Sequence, residues 1–218
     1  MKIEVWGEYA LFTRPEFHSE RVSYDVMTPS AARGLLEAIL WHPGVCWIID
    51  RIYVLNPIKF ANIRTNEVSA CLNSSAVKRV LKGKDEVLCL SAADNIAQRS
   101  NRLLRNVRYV IEAHIELTPK AHSGDTAKKF TAMMRRRVEK GQFFHHPYFG
   151  IREYTAHFRP WPEDKEIQTA YPGRDIDLGL MLYDMDYSNP QNIQPMFFNA
   201  TLRNGVLDLT KCEVIKCS

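Results

Sequence analysis

The stretch NVRYVIEAHIEL, residues 106–117, alternates apolar and polar side chains along most of its length. Its apolar positions are Val107, Tyr109, Ile111, Ala113, Ile115 and Leu117, and its polar positions are Arg108, Glu112, His114 and Glu116. Successive side chains of a strand point to opposite faces, so this pattern predicts a strand with one buried face. The rest of the fold is predicted around this strand.

The segments on the C-terminal side predict a helix and a further strand. Residues 126–140 have a helical pattern that ends at Gly141, a residue suited to a helix C-terminus. The run FGIREYTAHF, residues 149–158, is typical of a strand.

The N-terminal side predicts a strand, a helix and two more strands. KIEVW (2–6) alternates like a strand, and Thr28-Pro29-Ser30 opens a helix with Ser30 as its cap. Pro43-Gly44 ends that helix, and residues 45–55 and 58–70 predict strands. Between 72 and 105 the sequence is less regular, with a short basic helix or flap at 74–86 and a small strand at 87–92.

The resulting order is strand, helix, strand, strand, irregular insert, strand, helix, strand. This β-α-β-β-α-β order predicts an α+β fold, a ferredoxin-like domain with an insertion over residues 1–158. Pro160-Trp161-Pro162 marks a boundary. Residues 159–218 predict a small antiparallel β domain with a strand at 178–187 and a hairpin at Asn204-Gly205, since Asn-Gly favours tight hairpin turns.

Composition narrows the function classes. No apolar run approaches the roughly 18 residues of a membrane span, so no membrane partner is expected. The five cysteines include no CxxC pair, which disfavours zinc and a disulfide framework and favours a reducing cytoplasm. The net charge of +4 is modest, but it is clustered, and this favours a local polyanion site.

The main cluster spans residues 124–153, where seven Lys/Arg face three acids and aromatic residues lie among them. Cations bind phosphates and aromatic faces stack on unpaired bases, so the mixture predicts a nucleic-acid surface. The predicted RNA contacts here are Arg135, Arg136, Arg137, Phe143, Phe144, His146 and Tyr148. The alternative is an amphipathic helix with a solvated basic face, followed by a loop.

A second basic segment places arginines at three-residue spacing: Arg99, Arg102, Arg105 and Arg108. If the segment is helical, this spacing aligns them along one side. Such a row would follow a nucleic-acid path, or it would be an ordinary solvated face.

The chemistry expected at a nucleic-acid surface is limited by missing motifs. No GxxxxGK[ST], GxGxxG or HExxH occurs, so neither a nucleotide cofactor nor a metal is expected. An RNA strand carries its own nucleophile, the 2′-hydroxyl, and His, Tyr or Lys can move the protons and stabilise the phosphate charge. The candidates are His122, Lys128, Lys129, His145, His146 and Tyr148, each of which could instead be a simple phosphate contact or loop residue.

Several motifs resemble the Cas-five family of CRISPR-associated proteins, specifically its subtype I-C member within the RAMP superfamily. They are VWGEYALFTRPE (5–16), ERVSYDVMTPSAARGLLEAILWHP (20–43), RIYVLNPI (51–58), RNVRYVIEAHIEL (105–117), AKKF…RRRVEKGQ (127–142), FGIRE (149–153) and DLGLML (177–182). The resemblance implies a ferredoxin-like, RNA-recognition-motif-like domain with a C-terminal β extension. It also implies metal-independent cleavage of precursor CRISPR RNA that leaves a 2′,3′-cyclic phosphate. The protein would then stay on the 5′ handle of the mature guide RNA, with the other subunits of the type I-C surveillance complex.

The family pattern has a Lys-His pair at the start of the second helix. Lys128 matches its lysine, whereas Lys129 stands where histidine is usual, and Leu40 stands where an aromatic residue or histidine is usual. The predicted catalytic residues are Lys128, Lys129, His122 and His145, and His42 or His146 could also replace the missing family histidine. Two alternatives stay open: a non-catalytic guide-RNA-binding subunit, and binding of duplex DNA, since phosphate contacts alone do not separate DNA from RNA.

Overall fold

The computed structural model describes residues 1–17 and 20–216 and has an α+β fold. Its strands are β1 (Lys2–Ala10), β2 (Arg21–Val22), β3 (Val45–Val54), β4 (Phe60–Val68), β5 (Ile96–Leu117), β6 (His157–Pro160), β7 (Asp175–Asp186), β8 (Gln194–Arg203), β9 (Val206–Asp208) and β10 (Ile215–Lys216). Its α-helices are α1 (Pro29–Ile39), α2 (Ser74–Leu81) and α3 (Ala127–Glu139), and a short 3-10 helix covers Ala93–Asn95. One mostly antiparallel sheet contains all the strands.

The centre of the sheet has the order β6-β1-β5-β3, and every neighbouring pair in it is antiparallel. Beyond β3 the sheet continues through β9 and β8 to β10, and β7 pairs with β8. The short β2 is the exception, since it runs parallel to β5. The first strand, β1, and the last strand, β10, therefore belong to the same sheet.

The central strand β5 confirms the strand predicted at residues 106–117, although Leu117, predicted on the buried face, is exposed at the strand end. Tyr109, Ile111 and Ala113 are buried in the main core, while Arg108, Glu112 and His114 lie on the opposite face. The strand also extends back to Ile96, so the predicted helical alignment of the arginines at 99–108 is wrong. The first part of β5 pairs with β4 and the second part with β3, and Asn106 adopts a left-handed backbone (φ 53°) where the partner changes.

Helix α1 begins two residues earlier than a cap at Ser30 would place it. The hydroxyl of Thr28, and not that of Ser30, accepts a hydrogen bond from the Ala31 amide, and Pro29 takes the first helical position. Proline suits that position because its missing N–H would have no partner there. The apolar side of α1 packs against β3 and β7. Nε and Nη2 of Arg33, on the same helix, donate hydrogen bonds to the Asp184 carboxylate of β7 at 2.7 and 2.8 Å.

Helix α3 agrees with the prediction for residues 126–140. Phe130, Met134 and Val138 recur every four residues and are buried, so they form the face that packs on β5 and β6. At the C-terminus, Gly141 has a φ of 63°, and the amides of Gly141 and Gln142 bond to the Val138 and Arg137 carbonyls. These are the two hydrogen bonds of a Schellman motif, as the glycine predicted.

Two predicted strands are not formed. Residues 87–92 have no strand, and in 149–158 continuous strand pairing begins at His157, after a single isolated bridge at Thr155. Phe149 is fully buried in the core, which explains why this segment has strand-like apolar positions without strand pairing. The strands at 2–6, 45–55, 58–70 and 178–187 and the hairpin at Asn204-Gly205 are confirmed, with φ of 50° and 75° at the two turn residues. None of the helices that the structure describes is long and apolar enough to cross a membrane.

Candidate functional site

The loop after α3 docks on the C-terminal end of α1. The amides of Phe144 and His145 both donate to the carbonyl of Ala38 at 2.9 Å, and a guanidinium nitrogen of Arg137 donates to the Ile39 carbonyl at 2.6 Å. Helix termini leave carbonyls without intrahelical partners, and these contacts satisfy two of them. The docking fixes where the loop's aromatic and histidine side chains lie.

A surface groove of about 780 Å³ lies at this junction, and we call it the histidine groove. It is lined by Gly34, Glu37, Ala38, Trp41, Phe144, His145, His146, Tyr148 and Arg152. Trp41 and Phe144 are more than half exposed, although large aromatic side chains are usually buried. Exposed aromatics beside histidines and an arginine match the needs of an unpaired nucleotide: a stacking face, proton-exchanging groups and a phosphate contact.

Each of the two histidine rings in the groove lies next to a phenylalanine ring of the same loop. His145 lies 4.3 Å from Phe144 and His146 lies 4.9 Å from Phe143, measured between ring centroids. Nδ1 of His146 is 3.0 Å from the Pro147 carbonyl oxygen, which can only accept a hydrogen bond. In the neutral ring Nδ1 therefore carries the proton, and Nε2 is left as the basic nitrogen.

The far side of the loop is tied to the core. The carbonyl of Phe149 accepts a hydrogen bond from the Leu11 amide at 3.1 Å, and Tyr148 forms a bridge with Thr155. Gly150 follows in a left-handed conformation (φ 84°) and packs directly against the Leu11 carbonyl. Tyr148 and Arg152, on either side of this anchor, line the groove.

The two lysines at the start of α3 differ in their partners. Lys129 Nζ is 2.9 Å from Asp125, and that hydrogen bond together with one from the His122 amide lowers the pKa of the Asp125 carboxyl. Lys128 has no ion-pair partner among the residues that the structure describes, and it lies on the exposed side of α3 beside Arg135 and Arg136. Of the pair, Lys128 is thus the one available to an RNA phosphate.

The helix N-terminus beside these lysines is already capped. The Thr126 hydroxyl accepts from the Lys129 amide at 3.1 Å, and Asp125 lies next to it. The ring of His42 rests 4.8 Å from Phe130, and Nδ1 of His42 accepts from the Gly44 amide. His122 is exposed and contributes its backbone amide.

The predicted catalytic residues thus fall in two places. Lys129 and His122 share Asp125 at the start of α3, whereas His145 lies in the histidine groove beyond the other end of that helix. Lys128 lies on the exposed side of the same helix.

The predicted RNA-binding arginines have separate surroundings. Arg99 pairs with Glu67 at 3.1 Å, and Arg102 lies 4.3 Å over the Phe60 ring. Arg105 lines a different groove, on the sheet. These three do not form one row, because neighbouring residues of β5 alternate between its faces.

On α3, the three predicted arginines also differ. Arg135 pairs with Glu163 at 2.7 Å, Arg137 holds the end of α1, and Arg136 is exposed with no ion-pair partner in the described part of the chain. Phe143 joins the exposed aromatics of the loop. Arg136 is therefore the arginine of this set most open to RNA.

Sequence reasoning missed Trp41. It considered Leu40, which is buried and whose carbonyl accepts from the indole of Trp47. The next residue, Trp41, points into the groove instead. A positional signal was available: Trp41 comes between the end of the apolar helical pattern and the Pro43-Gly44 stop, so it lies outside α1 and its apolar face.

Comparison with known proteins agrees with this architecture. A family model described as Cas_Cas5d, CRISPR-associated protein (Cas_Cas5), matches residues 1–210. A protein of Mannheimia succiniciproducens named CRISPR pre-crRNA endoribonuclease Cas5d is 44% identical over 216 residues, covering 96% of this chain and 94% of the relative. A protein of the same name from Thermus thermophilus is 40% identical over 227 residues, covering 96% and 90%.

A solved structure titled Crystal Structure of CRISPR-associated Protein shares the fold with a TM-score of 0.71 at 23% identity, covering all of this chain and 95% of the other. The chain therefore belongs to the Cas5d family of CRISPR-associated proteins. This confirms the resemblance to the Cas-five family, subtype I-C, that its motifs indicated.

Proposed function

We propose that this chain is an endoribonuclease that cuts precursor CRISPR RNA in its repeat, without metal, and then stays on the 5′ handle of the guide RNA. The observation that carries the proposal is the 44% identity, over almost the whole chain, to a relative named for this activity. The histidine groove supplies aromatic faces, two imidazoles and an arginine at one place on the surface.

We also propose that residues 1–158 form a ferredoxin-like domain of the RAMP type. Strand β5 lies between β1 and β3, which are joined through α1, and β1 lies between β5 and β6, which are joined through α3. Two such interleaved units are a split βαβ arrangement, which supports the assignment. The insertion is the part from β4 to the start of β5, and residues 159–218 are proposed as the β extension.

In the proposed reaction the scissile nucleotide lies in the histidine groove and stacks on Trp41 or Phe144. Nε2 of His146 accepts the proton of the 2′-hydroxyl, whose oxygen attacks the adjacent phosphorus. The bond from phosphorus to the 5′-oxygen breaks, and His145 gives that oxygen a proton. The products are a 2′,3′-cyclic phosphate and a 5′-hydroxyl, and each proton transfer contributes about 10²–10⁴-fold.

Basic residues outside the groove are proposed to hold the flanking phosphates. Lys128 and Arg136 are exposed on α3 without ion-pair partners among the described residues, so neither must first release a carboxylate. Lys128 stays the proposed charge-stabilising lysine, matching the family pattern. Precursor RNA, guide RNA and neighbouring complex subunits are the proposed partners, in the cytoplasm, whose reducing conditions suit the free thiols of the four described cysteines.

A non-catalytic RNA-binding subunit is the second candidate function. It is favoured by the engagement of Lys129 with Asp125 and by the burial of Leu40, since neither family position then offers a proton-transfer group.

One cleavage assay separates the two functions. Purified protein is incubated with repeat RNA in EDTA, beside the same RNA carrying a single 2′-deoxynucleotide 5′ to the cut. We expect one cut in the first RNA and none in the second. The variants His145→Ala and His146→Ala should each cut at least about 10²-fold more slowly. His114→Ala is the matched control, because His114 is exposed and pairs with Asp50 on the sheet. Binding without cleavage by the wild type would establish the non-catalytic function.

A further inference from the structure

The face of the sheet opposite α1 and α3 carries a second groove of about 780 Å³, which we call the sheet groove. Its lining includes Glu4, Trp6, Arg105, Arg108, His157 and Arg159. Ile3 and Val5 of β1 belong to the helix-covered core, so Glu4 and Trp6 between and beside them lie on the other face.

The centre of the sheet groove is a stack of two rings. Trp6 and His157 are directly opposite each other on β1 and β6, and their rings lie 5.7 Å apart at an interplanar angle of 27°. The guanidinium of Arg159 lies 5.2 Å over the Trp6 ring. His157 is exposed and Trp6 is half-buried, so His157 is the ring of the pair that is more accessible from solvent.

Two arginines beside the stack are held by one carboxylate. Nε of Arg108 and Nε of Arg159 donate to the two different oxygens of Glu4, at 2.6 and 2.5 Å. The side chain of Glu4 is 2% exposed, whereas those of Arg108 and Arg159 are 39% and 56% exposed. The carboxylate is therefore beneath the guanidiniums, and the side that solvent meets is positive.

Charge also favours an anion over the whole groove. Arg105, which has no ion-pair partner within the described ranges, adds a third guanidinium, and Glu8 is the one exposed carboxylate in the lining. Arginines fixed by a second group lose little conformational freedom on binding, and guanidinium geometry suits phosphate.

We infer that the sheet groove binds single-stranded RNA, with one unpaired base stacked on the exposed His157 ring, which Trp6 supports from beneath, and its phosphate held by Arg108 and Arg159. A base supplies the flat surface that the rings need, and the adjacent phosphate supplies the negative charge. A protein partner would need only one of these two features. The site lies on the opposite face of the sheet from the helices, and it does not depend on cleavage in the histidine groove.

Binding of an eight-nucleotide oligo(U) tests the inference. Trp6→Ala and His157→Ala should each weaken binding by about 5- to 150-fold, the equivalent of losing one stacked base. Trp6→Phe should retain most of the affinity, because it keeps an aromatic face. The matched controls are Tyr187→Ala and Arg203→Ala, an exposed aromatic and an exposed arginine outside both grooves.

A site-resolved measurement accompanies the affinities. Oligo(U) carrying 4-thiouridine is crosslinked to the wild-type protein, and the modified peptides are identified by mass spectrometry. We expect crosslinks on peptides that contain Trp6 or His157.

The inference is overturned if crosslinks occur only outside those peptides, or if folded Trp6→Ala and His157→Ala bind oligo(U) like the wild type. It is also overturned if oligo(dT) displaces oligo(U) at a lower concentration, which would make the ligand single-stranded DNA. If the variants keep RNA affinity but lose a protein subunit of the complex, the groove is a protein interface instead.

Discussion

Replacing Gly150 with alanine should disrupt the histidine groove through its anchor on Leu11, the residue after β1. A Cβ atom on Gly150 would lie 1.8 Å from the Leu11 carbonyl oxygen and 2.7 Å from its carbon. Both are backbone atoms, so the chain itself must move. The residue also has a φ of 84°, in a region that alanine rarely adopts.

Gly141→Ala provides a matched control at the other end of the same loop. Gly141 has a φ of 63°, but a Cβ there would meet nothing within 4 Å. It therefore carries the cost of the left-handed conformation alone, about 1 kcal/mol. Gly150→Ala adds the loss of the hydrogen bond from Leu11 to Phe149, about 1 kcal/mol, and the partial exposure of the buried Phe149, about 1 kcal/mol or more.

These contributions lower the free energy of unfolding by about 1 kcal/mol for Gly141→Ala and by at least about 3 kcal/mol for Gly150→Ala. For a chain of this size the melting temperature changes by about 2–4 °C per kcal/mol. We therefore expect decreases of about 2–4 °C and at least about 6 °C, measured by circular dichroism at one scan rate. At a temperature where both variants are folded, Gly150→Ala should also bind repeat RNA more weakly, since Tyr148 and Arg152 flank it.

Melting temperatures of the two variants within about 2 °C of each other would refute this reasoning, because the contact with Leu11 is what distinguishes them. Equal RNA affinities for Gly150→Ala and the wild type, with the expected loss of stability, would show that the loop anchor does not position the groove.

Three further predictions concern charged residues. Arg136→Ala should lower RNA affinity and reduce the slope of log K against log salt by about 0.7, whereas Arg203→Ala should leave the slope of a salt titration unchanged. Lys128→Ala should slow single-turnover cleavage by about 10²-fold or more, and Lys129→Ala by much less because Lys129 is engaged by Asp125; equal rates would contradict this. Burial alone would raise the pKa of Glu4, but the hydrogen bonds from its two arginines outweigh burial and lower that pKa. Because the pKa of Glu4 in the folded protein is below its unfolded value of about 4.3, ionised Glu4 stabilises the fold above that pH, and this stabilisation is lost as the pH falls. The difference in melting temperature between wild type and Glu4→Gln should therefore narrow below about pH 4.

Local chemistry made much of the fold predictable. The alternation from Val107 to Ile115, the glycine after α3 and the Asn-Gly turn each depend on neighbouring residues, and each is confirmed. The Thr28 cap was within reach of the same rules, because proline at the first helical position places the cap one residue before it. The segment 149–158 was not, because its apolar residues are buried by tertiary contacts and not by a strand pair.

The sites were less predictable, because they join distant parts of the chain. The histidine groove exists because the loop amides bond to Ala38, about 100 residues earlier. The contact that each arginine on β5 makes depends on the side chain near it: Arg99 pairs with Glu67, and Arg102 lies over the Phe60 ring. Composition indicated a basic surface, but it contained no information on these partners.

The pairing of β9 with β3 has a consequence for synthesis of the chain. Arg51 and Asp208, which face each other across this pair, are separated by 157 residues. At translation rates of about 5–20 residues per second, β3 is made on the order of ten seconds before β9. During that time one side of β3 has unsatisfied backbone groups, and such an edge can recruit a strand from another nascent chain. Slow translation between the two strands would therefore favour misassembly, even though β9 pairs with residues 51–53 of β3 in the finished sheet.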